Sequence, residues 1–190
     1  MNPVDLLALW HVALAEMLLL AALLVAINGL DDLAIDILWL AMPRARRQPR
    51  MLPITAPPAR FAILIPAWDE SAVIGAMLQR LLAALEWPDY AVFVGLYPND
   101  PAGQAAAAVA DSRLHVVIGA VPGPTTKADC LNSLWRAALA EEAASGRPFD
   151  AIVLHDAEDV VHGSELAVFA AYLPHNAMVQ LPVLPLPDAS

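Results

Sequence analysis

The chain has 190 residues with 59% hydrophobic content and a net charge of −10, enough for one domain of ordinary size plus an appendage, and it excludes two independent catalytic domains. A single cysteine, Cys130, excludes an internal disulfide and a cysteine-based zinc site. The charge is blocked: residues 1–42 carry five acids and no Lys or Arg, residues 43–60 five Arg and no acid, and residues 61–190 five bases against fifteen acids. An acidic main domain argues against nucleic acid as a partner, since phosphate contacts need a basic face.

A mean hydropathy of +0.57 is high for a soluble domain, and the excess is local. Leu6 to Ile27 is interrupted only by His11 and Glu16, and a span of about 6–28 has the length of a transmembrane helix. On an insertion scale the central Glu16 costs about 3 kcal/mol, while nine Leu, two Val and one Ile return about −4 to −7 kcal/mol, so insertion wins. A cleavable signal peptide is disfavoured, because no basic region precedes the apolar run and no A-x-A-like site follows it. Asp31 to Met42 places Asp31, Asp32 and Asp36 on one broad helical face and predicts a short helix at the membrane surface, completing an anchor over residues 1–42. Residues 43–60, with Arg44, Arg46, Arg47 and Arg50 among prolines, predict an extended linker. Positive flanks stay cytoplasmic, so the expected orientation is N-terminus outside and main domain inside.

Residues 61–190 alternate short apolar strands with Ala/Leu-rich helices. Strands are predicted at Phe61–Pro66, Ala91–Leu96, Leu114–Gly119, Ala151–Leu154 and, frayed by proline, Met178–Pro182. Helices are predicted over Ser71–Leu85, Gly103–Ala110, Lys127–Ala144 and Ser164–Tyr172. The class is α/β with a mostly parallel sheet. Ala151–Leu154, apolar without alternation, is expected to be the central strand, covered on both faces.

In such a sheet, ligands bind outside the carboxyl ends of the strands. There the unusual residues gather: Trp68, Asp69 and Glu70 after the first strand, Tyr97 to Asp100 after the second, Pro122 to Asp129 after the third, and Asp156, Glu158 and Asp159 after the fourth. Each group has a structural alternative as a helix cap or turn. Together on one edge they favour a polar ligand site. The three carboxylates crowd like charges, a repulsion that a hard divalent cation relieves. Lys127, the only lysine beside nine arginines, opens a helix and makes a plausible diphosphate site. It does not belong to a P-loop, because the second glycine is missing, and Gly119–Gly123 lacks dinucleotide-fingerprint spacing.

Ile65-Pro-Ala-Trp-Asp-Glu70, Lys127-Ala-Asp-Cys-Leu-Asn132 and His155-Asp-Ala-Glu-Asp159, in this order and at these separations, resemble the nucleotide-sugar half of a family 2 glycosyltransferase with a Rossmann-like GT-A fold. Tyr97-Pro-Asn-Asp-Pro101, Pro122 to Asn132 and Gly29-Leu-Asp-Asp32 resemble its bacteriophage adsorption protein B branch. The resemblance implies donor-binding roles for Pro66, Trp68, Glu70, Asp100, Lys127 and Asp156, with Pro66 and Trp68 bordering the base, Asp100 meeting base or ribose, and Lys127 beside the diphosphate. It implies Mg2+ or Mn2+ at the position of the family's D-x-D acids, here Asp156, Glu158 and Asp159. Glu158 replaces the usual second aspartate and lengthens the arm by one methylene, leaving Glu158 and Asp159 both open as metal ligands.

The family's acceptor base lies past the strand that here ends at Ser190, so no catalytic residue is expected in this chain, the GT-A sheet is expected to be incomplete at its C-terminus, and the chain alone is expected to be inactive. The implied partners are a nucleoside-diphosphate sugar, the inner membrane and other envelope or exopolysaccharide components. Two rival functions remain: a non-catalytic membrane scaffold serving phage adsorption or secretion, and an unrelated α/β phosphate-binding module.

Overall fold

The computed structural model describes residues 3–43 and 58–183, which fall into two compact units divided between Met51 and Leu52. Among its described residues the first has one helix, α1 (Pro3–Ala41). The separate surface helix expected after Gly29 does not form, because α1 runs straight through that position. An interior glycine costs only about 1 kcal/mol relative to alanine, and no proline interrupts the run. The apolar stretch Leu6–Ala41 is long enough to cross a membrane and none of it is buried. At 39 residues α1 extends about 58 Å, well beyond the ~30 Å hydrocarbon layer. The linker arginines Arg44, Arg46, Arg47 and Arg50 lie outside the described residues.

The second unit is built on four parallel strands, β1 (Phe61–Pro66), β2 (Tyr90–Leu96), β3 (Leu114–Ile118) and β4 (Ala151–Leu154), in the order β3-β2-β1-β4. Phe61 pairs with Tyr90 on one side and Ala151 on the other. Helices α2 (Ile74–Ala84), α3 (Pro101–Ala106), α4 (Lys127–Ser145) and α5 (Glu165–Tyr172) connect and cover them. The two-residue strand period sorts β1 into two cores. Phe61, Ile63 and Ile65 face α2 and α5, whereas Ala62 and Leu64 face α4. Helix α2 buries Ile74, Met77, Leu78, Leu81 and Leu82, an apolar stripe at helical spacing. Helix α4 seats Cys130 and Leu134 against Gly95 of β2, where an added Cβ would stand 2.5 Å from the Cys130 sulfur.

Strand β4 departs from expectation. It is an edge strand of the described sheet, paired with β1 alone, and Ile152 and Leu154 are 41% and 61% exposed. An apolar run looks the same whether one or both faces are covered; here α4 packs over β1 and β2 and leaves the outer half of that face open. The strand expected at Met178–Pro182 is also absent from the described residues. A 3-10 turn at Leu173–His175 leads into irregular chain, and Pro174 and Pro182 withhold ladder donors. Helix α3 starts two residues earlier than expected because Asp100 caps it and Pro101 occupies its first position.

The entry end of the sheet is fastened by Arg60. Its backbone N–H donates to Asp150 Oδ2 at 2.7 Å. Its guanidinium donates to Glu141 Oε1 at 3.1 Å, Ser145 Oγ at 3.2 Å and the Arg147 carbonyl, and lies 4.1 Å over the Phe149 ring. Asp89 adds a carboxylate 3.6 Å away. Although counted with the linker arginines by position, Arg60 belongs to this unit.

Candidate functional site

The chain leaves β1 towards β2 on one side and returns through β4 on the other, so the strand order reverses at β1. In open parallel sheets such a reversal opens a crevice beyond the carboxyl ends of the strands. A cleft of about 310 Å3 lies there, lined by Pro66, Trp68 and Glu70 after β1, Tyr97 after β2, Thr125, Lys127 and Cys130 around the start of α4, and Asp156 and Glu158 after β4.

One wall is aromatic. Asp69 adopts a left-handed conformation, φ 59°, which aspartate tolerates better than most residues. Beside this turn Trp68 meets Tyr97 edge to face, centroids 4.9 Å apart. The Tyr97 hydroxyl shares a 2.9 Å hydrogen bond with Thr125 Oγ1.

The other wall is charged. Helix α4 begins in a capping box: the Asp129 N–H donates to Thr126 Oγ1 at 3.2 Å, and Asp129 Oδ2 accepts from the Thr126 hydroxyl at 2.7 Å and from its backbone N–H at 3.2 Å. These hydrogen bonds from Thr126 hold the Asp129 carboxyl below its usual range. The box fixes the first turn of α4, and from it Lys127 pairs its ammonium with Asp156 Oδ1. Both side chains of that pair stay more than half exposed. Burial pushes the Cys130 thiol up, so it is a neutral wall group.

Beneath the acidic loop lies a buried histidine. His155 Nδ1 is 3.4 Å from Asp159 Oδ2, and Nε2 is 3.3 Å from Glu165 Oε1, an ion-pair distance without hydrogen-bond alignment. Burial opposes charge on this ring, but Glu165 and then Asp159 outweigh it and raise its pKa. Asp159 Oδ2 also accepts the Asp156 N–H at 2.8 Å, closing the turn that presents Asp156 and Glu158.

Six of the residues expected from sequence, Pro66, Trp68, Glu70, Lys127, Asp156 and Glu158, therefore meet in one cleft. Asp100 and Asp159 are not on its lining. Asp100 is buried and caps α3, its Oδ1 accepting the Gly103 N–H at 2.9 Å. Tyr97 and Thr125 were visible only as members of a turn and a candidate cap, and nothing in the sequence ties the Tyr97 hydroxyl to Thr125. In the sequence His155 stands out only as the first residue of the acidic motif and Glu165 only as an acid beside an apolar stretch, and nothing there pairs the two.

Among the described residues, no three His, Cys, Asp or Glu side chains converge into a set that could hold a metal by itself. Asp156 and Glu158 are the acids after β4 that line the cleft, while Asp159 is turned to the loop's own backbone. One or two protein carboxylates completed by phosphate and water oxygens is the usual Mg2+ arrangement with nucleotides, so this pair fits a metal that arrives with a diphosphate.

Comparison with known proteins agrees with this architecture. The profile of glycosyltransferase-like family 2 matches residues 57–185. The chain is 37% identical over 193 aligned residues to bacteriophage adsorption protein B of Escherichia coli K12, and equally to bacteriophage N4 adsorption protein B of E. coli O157:H7. Each alignment covers 95% of this chain, which spans about a quarter (26%) of the length of these curated relatives. With a parallel α/β sheet, a polar cleft at its strand ends and a family profile matching well over half its length, the chain belongs to glycosyltransferase-like family 2.

Proposed function

We propose that this chain is the membrane-anchored, cytoplasm-facing donor-binding part of an inverting glycosyltransferase, taking a nucleoside-diphosphate sugar together with Mg2+ or Mn2+ for transfer to a glycan or envelope acceptor. The observation that carries this reading is one cleft with an aromatic wall at Trp68 and Tyr97 and a charged wall at Lys127, Asp156 and Glu158. The aromatic wall suits a nucleobase, and Lys127 suits a diphosphate. Asp156 and Glu158 would hold the metal, which when bound supplies positive charge to the departing diphosphate. In the free chain Lys127 occupies Asp156, so ligand entry exchanges an internal ion pair for contacts to metal and phosphate. The α1 helix would anchor the chain in the inner membrane, with the arginines after it on the cytoplasmic side.

The test is calorimetry on the purified full chain in detergent with UDP, GDP and ADP, with and without Mn2+. Metal-dependent binding of one of them is expected. Absence of binding to all three would favour the second reading, a non-catalytic component for adsorption or secretion, of which the names of the two curated relatives mention adsorption.

A further inference from the structure

Neither Asn99 nor Gly123 lines the cleft, yet the two are joined by a pair of hydrogen bonds. Asn99 Nδ2 donates to the Gly123 carbonyl at 2.8 Å, and the Gly123 N–H donates to Asn99 Oδ1 at 2.7 Å. The side-chain amide thereby satisfies both polar groups of one peptide residue, as a neighbouring strand would. The turn after β2 is thus tied to the loop before α4.

Gly123 also supports the aromatic wall. A Cβ there would stand 2.3 Å from Trp68 Cζ3 and 2.6 Å from Cε3, so the indole rests directly on backbone that no side chain can share. Trp68 meets Tyr97 edge to face, and Tyr97 is hydrogen-bonded to Thr125, two residues beyond Gly123. The contacts close a ring: Trp68 on Gly123, Gly123 on Asn99, Asn99 through the turn to Tyr97, and Tyr97 back to Trp68. No hydrogen bond in this ring involves Lys127, Asp156 or Glu158. The aromatic wall thus has contacts of its own, and a 3.3 Å hydrogen bond from Thr125 Oγ1 to the Thr126 carbonyl is what joins it to the capping box before Lys127.

We propose that Asn99 and Gly123 are positioning residues that fix Trp68 and so govern recognition of the planar base of the nucleoside diphosphate separately from its diphosphate. This rests on the donor-site reading above. A ring contributes to stacking in proportion to how firmly its plane is held, because a mobile ring must be ordered on binding. Loss of the Asn99 clasp frees the loop and the indole, while the Lys127 and Asp156 side is left in place.

The test uses the full chain in detergent, labelled with 5-fluorotryptophan, the Trp68 resonance being assigned with Trp68→Phe. Asn99→Ala, an exposed change, is expected to shift or broaden that resonance and to weaken the nucleoside diphosphate that wild type binds about tenfold, while inorganic pyrophosphate with Mn2+ stays within about twofold. Asn99→Asp, which keeps the acceptor for the Gly123 N–H and loses the donor, is expected to fall between. Equal weakening of nucleotide and pyrophosphate, or no change in either, overturns the proposal. An unmoved Trp68 resonance in Asn99→Ala overturns the clasp itself, whatever the ligands do. Wild type that binds neither UDP, GDP, ADP nor pyrophosphate defeats the donor-site reading and the selectivity role with it, and the fluorine signal tells that failure from failure of the clasp.

Discussion

The two ends of the parallel sheet both collect charged side chains, and they use them in opposite ways. At the entry end Arg60 is 9% exposed, and its donors are directed to Glu141, Ser145, the Arg147 carbonyl and Asp150. At the exit end Lys127 and Asp156 form one ion pair with side chains 60% and 52% exposed. A buried guanidinium cannot lose its partners without stranding charge away from water, whereas an exposed pair is worth about 0–1 kcal/mol and exchanges partners freely. Charge at the entry end holds the fold; charge at the exit end is available to a ligand.

The largest expected effect separates these roles. Arg60→Ala should destabilise the sheet unit by about 3 kcal/mol, the low end for breaking a buried pair because Glu141 and Asp89 are partly exposed. Urea titration of the full chain in detergent measures it. Nucleotide affinity of the fraction that remains folded should match wild type, and a parallel loss of affinity would show that the two ends are coupled.

Next come the converse substitutions. Lys127→Ala and Asp156→Asn should each weaken metal-dependent nucleoside-diphosphate binding roughly 10- to 100-fold, the range for losing a charge-assisted contact. Their unfolding free energies from urea titration should change by less than about 1 kcal/mol. Unchanged affinity in both variants, with the fold intact, would remove the charged wall from the site.

A third, smaller effect tests the turn that leads out of β1. Asp69 sits at φ 59°, so a β-branched residue there should cost about 1–2 kcal/mol. Asp69→Val should show this cost and Asp69→Gly should not, by thermal unfolding. Equal Tm values for the two would mean that the turn relaxes out of the left-handed region.

Much of this arrangement was legible in the sequence because it is local. Apolar runs bounded by turn residues mark strands, and residues just after them must reach the carboxyl edge, which is why the sequence places Trp68, Lys127 and Asp156 together. What stayed hidden is non-local or competes at one residue. Ala151–Leu154 carries no record of which strand lies beside it, so its edge position could not be read. Asp100 and Asp159 are carboxylates in the right segments, but each has a nearby backbone N–H to accept, and spacing does not decide between capping and ligand binding. Gly29 looked like a break, yet a single glycine is too weak a penalty to end a long apolar helix.

The smallest effect concerns the residue that underlies the acidic loop. His155 is buried between Asp159 and Glu165, and although burial disfavours its charged form, the two carboxylates raise its pKa above the ordinary 6.5. A raised folded-state pKa means that the folded chain binds the proton more tightly than the unfolded chain. The stabilisation is therefore complete below pH 6.5 and lost as pH rises through the folded-state value. Only one proton is involved, and no other histidine is engaged by two carboxylates among the described residues. Thermal unfolding in a pH series from about 6 to 9 should give a Tm that declines with rising pH, and Glu165→Gln, which keeps the shape and removes the charge that contributes most to the upward shift, should flatten the decline. A Tm that rises with pH would mean that desolvation prevails and that His155 is neutral in the fold, in which case Asp159 holds the Asp156 turn without help from a charged ring.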